Sequence, residues 1–146
     1  MSAEQLYTPR MLSAAVELAD YPLLSQPDLT GSAHAVPCGS AIIMTLRISD
    51  ACITDLGMKV RACAVGQASA AVFARHAAGR DAVTIRADAD KLRSWLEDGG
   101  PMPDWPDLNI VEPASGFPAR HGAMLLPWRA AIDAFHAAVP DAIRVG

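Results

Sequence analysis

Two consecutive stretches with alternating side chains constrain the fold of this chain most. Apolar residues take every second position over residues 42–48, and they do so again over residues 56–62. Period-two alternation of this length predicts a strand with one face buried. The link between the two stretches, around Asp50–Asp55, is too short for a parallel crossover, which needs about a dozen residues or more. The sequence therefore predicts an antiparallel hairpin.

Helices are predicted on both sides of this hairpin. Thr8-Pro9 combines a hydroxyl N-cap with a proline at the first helical position. Pro127 is compatible with a helix only near its first turn. Glycines end two of the helices, one at Gly79 and the other at Gly99-Gly100. The predicted helices are one that runs from Pro9 to a stop at Tyr21-Pro22, followed by helices over 64–78, 88–98 and 123–138.

The segments between these elements are predicted to be loops. Residues 22–37 form a loop with a short edge strand at Ala33–Val36, and the proline-rich stretch 99–118 is a long loop. A loop of that length in a compact domain is often functional. The order of elements predicts an α+β fold, in which an N-terminal helix and the C-terminal helices pack on one face of a small antiparallel sheet.

Composition limits the classes of function. Apolar residues make up 51% of the 146 and charged residues only 19%, which indicates a packed core and a single domain over 1–146. A net charge of −4 argues against nucleic acid as a partner, because that affinity rests on basic residues. There is no apolar run of about 20 residues, so we expect no membrane partner and a cytoplasmic location. Three cysteines, an odd number, favour reduced thiols over a disulfide framework.

Two of the cysteines are predicted to be neighbours. Cys38 precedes the first strand of the hairpin and Cys63 follows the second, so both belong to the same end of the sheet. Cys63 also begins a predicted helix, whose free backbone N–H groups attract an anionic sulfur. Cys52 lies in or near the hairpin link, at the far end of the sheet, where we expect a structural or incidental thiol.

His121 is the histidine best suited to join these thiols. It lies in Pro118–Gly122, a predicted turn just ahead of the last helix. Two thiolates and an imidazole suit zinc or iron–sulfur chemistry, although two unrelated buried thiols remain an alternative on residue chemistry alone. His76 is predicted to lie roughly 20 Å from Cys63 along its helix, too far to share a ligand. We expect ordinary surface or core roles for His34, His76 and His136.

Three segments resemble the U-type iron–sulfur cluster scaffolds, the IscU, SufU and NifU N-terminal family. They are Pro37-Cys38-Gly39-Ser40, the stretch Arg61–Ser69 around Cys63, and Phe117–Trp128. The resemblance covers roughly residues 5–138. The long insert between Cys63 and His121 resembles the SufU branch more than the IscU form.

This resemblance implies a scaffold fold, a function and a set of ligands. It implies that Cys38, Cys63 and His121 hold an iron–sulfur cluster, such as [2Fe–2S], or a zinc ion. It also implies a cysteine desulfurase as the sulfur donor and apo iron–sulfur proteins as acceptors. Two positions depart from the family pattern: Ser40 replaces its aspartate and Gly122 replaces its third cysteine. The proline-rich sequence that docks a chaperone in IscU is not evident.

Three hypotheses follow. In the first, the chain is a cluster scaffold or carrier with an exchangeable coordination position. In the second, it accepts persulfide sulfur on Cys63, with zinc or no metal bound. In the third, it is an interaction module that keeps only the fold of the family. A hydrolytic Cys–His enzyme is disfavoured because nothing supplies an oxyanion hole or an orienting acid. The expectation is therefore a protein that is not an enzyme.

Overall fold

The computed structural model describes residues 6–36 and 39–137. The three strands form one antiparallel sheet in the order β1-β2-β3. Helix α4 packs on one face of this sheet, and α2 and α3 pack against α4. The α+β prediction, with helices on one face of a small sheet, is thus confirmed. In chain order the elements are α1 (Pro9–Val16), β1 (Leu29–Ala35), β2 (Ser40–Ser49), β3 (Cys52–Arg61), α2 (Ala64–His76), α3 (Ala82–Asp98) and α4 (Pro118–Ala137).

The β2–β3 hairpin has the predicted direction and faces. Its turn consists of Asp50 and Ala51, and both have a positive φ, as two-residue hairpins of type I′ require. The register runs from Ser49 opposite Cys52 to Ala41 opposite Arg61, with one irregularity between Arg47 and Ile48. The inward side chains of the alternating pattern form much of the core: Ile42, Met44, Leu46, Leu56 and Met58 are all buried.

Strand β1 is longer than the predicted edge strand, because it starts at Leu29 rather than Ala33. The first half of the strand was not predicted because Gly31 interrupts the alternation of apolar residues. A Cβ at Gly31 would lie 2.3 Å from the carbonyl oxygen of Ala130, so the glycine lets α4 contact the strand backbone. Side chains of α4 also cover the free edge of the strand: Asp133 accepts from Ser32 N–H at 2.9 Å, and Arg129 donates to the His34 carbonyl at 3.1 Å.

Helix α4 differs most from its prediction. It runs from Pro118, not Ala123, so Pro127 lies in its interior rather than near its first turn. The proline removes the N–H that would bond the Ala123 carbonyl. The hydroxyl of Ser69 on α2 donates to the next carbonyl, that of Met124, at 2.6 Å. The helix is buried on most sides over 123–131 instead of along one stripe, because it is packed by the sheet, α2 and α3 together.

The segments on either side of α3 also differ from prediction. The helix begins at Ala82 rather than Asp88, because the Asp81 carboxylate caps it by accepting from Thr84 N–H at 2.9 Å. It ends at Gly99 as predicted. The long loop after it contains two 3₁₀ turns, Leu108–Ile110 and Glu112–Ala114. Trp105 anchors that loop in the core by donating its Nε1–H to the Val72 carbonyl at 3.0 Å.

The face of the sheet opposite α4 is partly covered by the chain that follows α1. The Tyr21 backbone carbonyl accepts from Met58 N–H at 2.8 Å, and the Leu24 N–H donates to the Thr45 hydroxyl at 3.0 Å. A Cβ at Gly57 would lie 1.9 Å from the Pro22 carbonyl oxygen. Thr45 is therefore buried although it points away from the helices. In the ranges 6–36 and 39–137, no helix has the length and apolar character needed to cross a membrane.

Candidate metal and sulfur site

One end of the sheet gathers the segments that carry the predicted ligands. Ala35 at the end of β1 pairs with Ser40 at the start of β2, and Ala41 pairs with Arg61 at the end of β3. Cys63 follows two residues later, at the junction between β3 and α2. This arrangement agrees with the predicted placement of Cys63 at the end of the sheet from which β2 starts.

Cys63 is the N-cap residue of α2, as predicted for a cysteine that begins a helix. Its side chain makes no capping hydrogen bond, and the thiol is free and half-buried. Its carbonyl accepts from Gln67 N–H at 3.0 Å, and the Gln67 side-chain amide donates to the Ala62 carbonyl at 2.9 Å. Gln67 thus holds both backbone carbonyls at the strand–helix junction, while the sulfur stays available.

His121 lies in the first turn of α4, not in a turn ahead of the helix; the predicted start of the helix was too late. Its Nε2 lies 2.6 Å from the Ser115 carbonyl oxygen. Because a carbonyl only accepts, Nε2 carries the proton of this bond, and Nδ1 of the neutral ring keeps the free lone pair. This is the usual arrangement of a metal-binding histidine, whose second nitrogen is held by a carbonyl or carboxylate.

Small residues bring the starts of α2 and α4 together. Gly66, in the first turn of α2, is so close to α4 that a Cβ there would lie 3.4 Å from the Ala123 Cβ. A Cβ at Gly122 would lie 3.1 Å from the Ala35 Cβ. The position that follows His121 therefore faces the end of β1, next to the loop that leads to β2.

The fit to a metal or cluster is partial in the described part of the chain. Cys63 offers a free sulfur and His121 a free Nδ1, which are donor types that zinc and iron accept. Cys38 lies outside the described residues. Among residues 6–36 and 39–137, no three His, Cys, Asp or Glu side chains gather closely enough to hold a metal ion. At the two positions that depart from the family pattern, Ser40 is buried at the start of β2, and Gly122 offers no side chain.

The other candidates are placed as the sequence predicts. Cys52 is a free thiol at the first residue of β3, at the end of the hairpin far from Cys63. His76 ends α2, and its Nε2 lies 2.7 Å from a carboxylate oxygen of Asp107. His34 is exposed on β1, and His136 is exposed near the end of α4.

Sequence reasoning missed the residues that support the site. The Gln67 amide could have been suspected from its position one helical turn after Cys63. The Ser115 carbonyl carries no sequence signal, because its role depends on how the long loop returns to α4. The small size of Ala35, Gly66 and Ala123 matters only once the packing is known.

Comparison with solved structures identifies proteins that share this fold. No protein-family model matches the chain, and neither does any curated protein. The crystal structure of a nitrogen-fixing NifU-like protein (N-terminal) from Brucella abortus is 32% identical, with a TM-score of 0.84. The match covers 94% of this chain and 99% of that one.

A second solved structure shares the fold at lower sequence identity. It is a protein from thermophilic Fervidobacterium islandicum AW-1, assigned as an iron–sulfur cluster assembly scaffold for the SUF system. It is 15% identical, with a TM-score of 0.79 over 92% of this chain and 99% of that one. Placement nearer the SufU branch stays a prediction. Identity of 32% over nearly the full length, together with the shared fold, shows that this chain belongs to the NifU-like N-terminal domains, a family of U-type iron–sulfur cluster assembly scaffolds.

Proposed function

We propose that this chain is a non-enzymatic scaffold or carrier for iron–sulfur clusters, which holds its cargo through Cys38, Cys63 and His121. The observation that carries the proposal is the contact between the starts of α2 and α4, which brings the Cys63 and His121 segments to one end of the sheet. The cargo is an iron–sulfur cluster, such as [2Fe–2S], or a zinc ion in its place.

The donor set supports transient rather than permanent binding. Three protein ligands leave one coordination position for an exchanging group, whereas structural zinc sites are closed by four. Gly122 and Ser40 replace two residues of the family pattern, so the remaining ligand would come from a partner or from solvent. A site of this kind suits a protein that hands its cargo on to apo iron–sulfur acceptors.

The first test is anaerobic reconstitution with iron and sulfide. We expect sulfur-to-iron charge-transfer absorption and matching amounts of iron and labile sulfide in the wild-type protein. Cys63→Ser should lose both, because it removes one of the two thiolates. Cys52→Ser is the matched control, since this free thiol lies at the far end of the hairpin. Equal loading of the two variants would contradict the proposal.

The role of His121 is tested separately. His121→Ala should bind less iron and shift the visible absorption, because one ligand changes from nitrogen to solvent or to an added thiol. His136→Ala, a change of the same type on the exposed end of α4, should leave the spectrum unchanged. Identical spectra for wild type and His121→Ala would remove this residue from the ligand set.

A second function is favoured by the free, half-buried sulfur of Cys63, which makes no capping hydrogen bond at the start of α2. In this function the chain accepts persulfide sulfur from a cysteine desulfurase, with zinc or no metal bound. The Cys63 thiolate attacks the outer sulfur of the desulfurase persulfide, and the new S–S bond forms as the old one breaks. The desulfurase cysteine leaves as a thiolate, so no external oxidant or reductant is needed.

Mass spectrometry after incubation with desulfurase and free cysteine distinguishes the two functions. A gain of one sulfur on Cys63 in a protein that takes up no iron would favour the acceptor function. Iron and sulfide uptake without a persulfide would favour the scaffold. Either chemistry requires reduced thiols, and we therefore propose that the protein works in the cytoplasm, in keeping with free Cys52 and Cys63.

A further inference from the structure

The side of the sheet that faces away from α4 carries an uncovered patch beside Cys63. Antiparallel register places Ser32, Ile43 and Lys59 in one row across the three strands, and His34, Ala41 and Arg61 in the next. Side chains at these positions point away from the buried positions 42, 44 and 58 that alternate with them. We call His34, Ala41, Ile43, Lys59 and Arg61 the outer face.

The outer face is basic, although the whole chain carries a net charge of −4. Lys59 and Arg61 are exposed, and neither forms an ion pair with any residue in the ranges the structure describes. The two rows contain no carboxylate. The two rows thus carry local positive charge on a protein that is acidic overall, and this charge would attract an acidic partner.

The outer face also has an apolar centre. Ile43 is 42% exposed, and a shallow cavity of about 250 Å³ lies between it and the rim formed by Lys59 and Arg61. Leu23, which crosses the sheet above Gly57, is 44% exposed next to this row. An exposed aliphatic centre with a charged rim is the usual composition of a protein-binding surface.

Position ties this surface to the candidate site. Arg61 ends β3 only two residues before Cys63, so a protein bound to the outer face would lie next to that sulfur. The far half of the same sheet side is already covered by the segment around Pro22, which leaves the Cys63 half as the accessible part.

We propose that the outer face is the docking surface for the sulfur donor, a cysteine desulfurase that presents acidic side chains around an aliphatic residue. The inference rests on the proposed function of Cys63 as a ligand or sulfur acceptor. Lys59 and Arg61 pair with the donor's carboxylates, and its aliphatic side chain fills the cavity beside Ile43. Docking in this way positions the persulfide of the donor at Cys63.

The test compares charge reversal on the outer face with the same reversal elsewhere. Binding to the organism's own cysteine desulfurase is measured by calorimetry at low and high salt for wild type and for the double variant Lys59→Glu/Arg61→Glu. We expect the dissociation constant to rise about tenfold or more at low salt, with a weaker salt dependence, because a charged rim acts mainly on association. Persulfide formation on Cys63 should slow in parallel.

The matched control is Arg86→Glu/Lys91→Glu, which makes the same charge change at exposed positions of α3. It should bind the desulfurase like wild type. Ile43→Asp tests the apolar centre without touching either cation and should weaken binding too. Thermal unfolding of each variant shows that it is folded.

Three outcomes would overturn the docking surface: unchanged affinity of Lys59→Glu/Arg61→Glu, equal weakening by the α3 control, or no desulfurase binding by the wild type. The proposed function is judged independently, because reconstitution with inorganic sulfide needs no donor protein. A wild-type chain that takes up iron and sulfide but binds no desulfurase would leave the scaffold function standing and remove this surface.

Discussion

At the scale of single residues, Gly122 would limit how many ligands the chain itself supplies to the proposed site. It stands where the family pattern has a cysteine, and any side chain there would point at Ala35 on the end of β1. A Cβ at this position would lie 3.1 Å from the Ala35 Cβ, closer than ordinary van der Waals contact, so a larger residue fits only if β1 gives way. A cysteine side chain at this position would therefore press on the end of β1.

This packing predicts how a ligand can be restored. Gly122→Cys combined with Ala35→Gly should add a thiolate to the site and slow the loss of iron and sulfide from the reconstituted protein several-fold. Gly122→Cys alone should gain less, because the contact with Ala35 displaces the new side chain. Cluster lifetime is measured by the decay of visible absorption in the presence of a chelator.

A matched double variant checks that the added sulfur acts through its position. Gly116→Cys with Ala35→Gly also adds one thiol, in a segment with open space around it. Equal protection by the two double variants would show that any extra thiol suffices, and would contradict a ligand position at 122.

At the scale of secondary structure, the contact between α4 and β1 holds the start of α4 in place. Gly31 allows the backbone of the helix to approach the backbone of the strand, and Asp133 and Arg129 bond the strand's free edge. These contacts lie along the same helix that begins with His121. The position of the imidazole thus depends on a helix–strand contact several turns away.

Gly31→Ala should therefore destabilise the fold and disturb the site. A Cβ there would lie 2.3 Å from the Ala130 carbonyl oxygen and 2.4 Å from the Ala134 nitrogen, both backbone atoms. We expect a loss of about 3 kcal/mol in the free energy of unfolding, the upper end for overpacking. Urea denaturation measures it. Gly116→Ala, with nothing within 4 Å of its Cβ, should change stability by less than about 0.5 kcal/mol; equal losses would refute the packing argument.

At the scale of the whole molecule, one ionic cluster connects three distant parts of the chain. Arg75 on α2 bonds both carboxylate oxygens of Glu17, which follows α1, and donates to Asp107 in the long loop at 3.2 Å. Hydrogen bonding by Arg75 holds the pKa of Glu17 below its usual 4.5. Hydrogen bonds from His76 and then Arg75 hold the pKa of Asp107 below its usual 3.8.

These lowered pKa values predict acid sensitivity. A carboxylate whose pKa is lower in the folded state adds stability above its unfolded pKa, and that stability is lost as the pH falls through the folded value. The free energy of unfolding should hence decline below about pH 4.5. The decline due to Asp107 should be modest, about 0–1 kcal/mol, because its side chain is 38% exposed to solvent.

Asp107→Asn tests this, since asparagine tolerates the positive φ of 64° at this residue. Stability measured against pH by urea denaturation should decline less steeply in this variant than in wild type. Asp104→Asn is the control in the same loop, because Asp104 is exposed and forms no ion pair within the described ranges. If the free energy of unfolding of Asp107→Asn declined with falling pH as steeply as that of wild type, the ionic cluster would not contribute to the acid sensitivity of the fold.

Local patterns in the sequence were sufficient for much of the fold. Alternation over the hairpin predicted two strands and their buried faces, and Thr8-Pro9 and Gly99 marked helix ends that the structure confirms. The prediction that Cys63 begins a helix came from the same kind of local pattern, and the structure confirms it. These features depend on residues close together in the chain, whose side chains repeat with the period of a strand or a helix.

Only the tertiary structure decided how distant segments meet. By itself, the sequence determined the hairpin, the order of the helices and the end of the sheet to which Cys63 belongs. It did not reveal that α4 starts at Pro118, that Pro127 fits inside a helix, or that Ser115 holds His121. Those outcomes depend on close contacts such as Gly66 with Ala123, where the missing bulk of small residues lets elements approach. Small size has no periodic signature, and its effect exists only once the neighbouring element is in place.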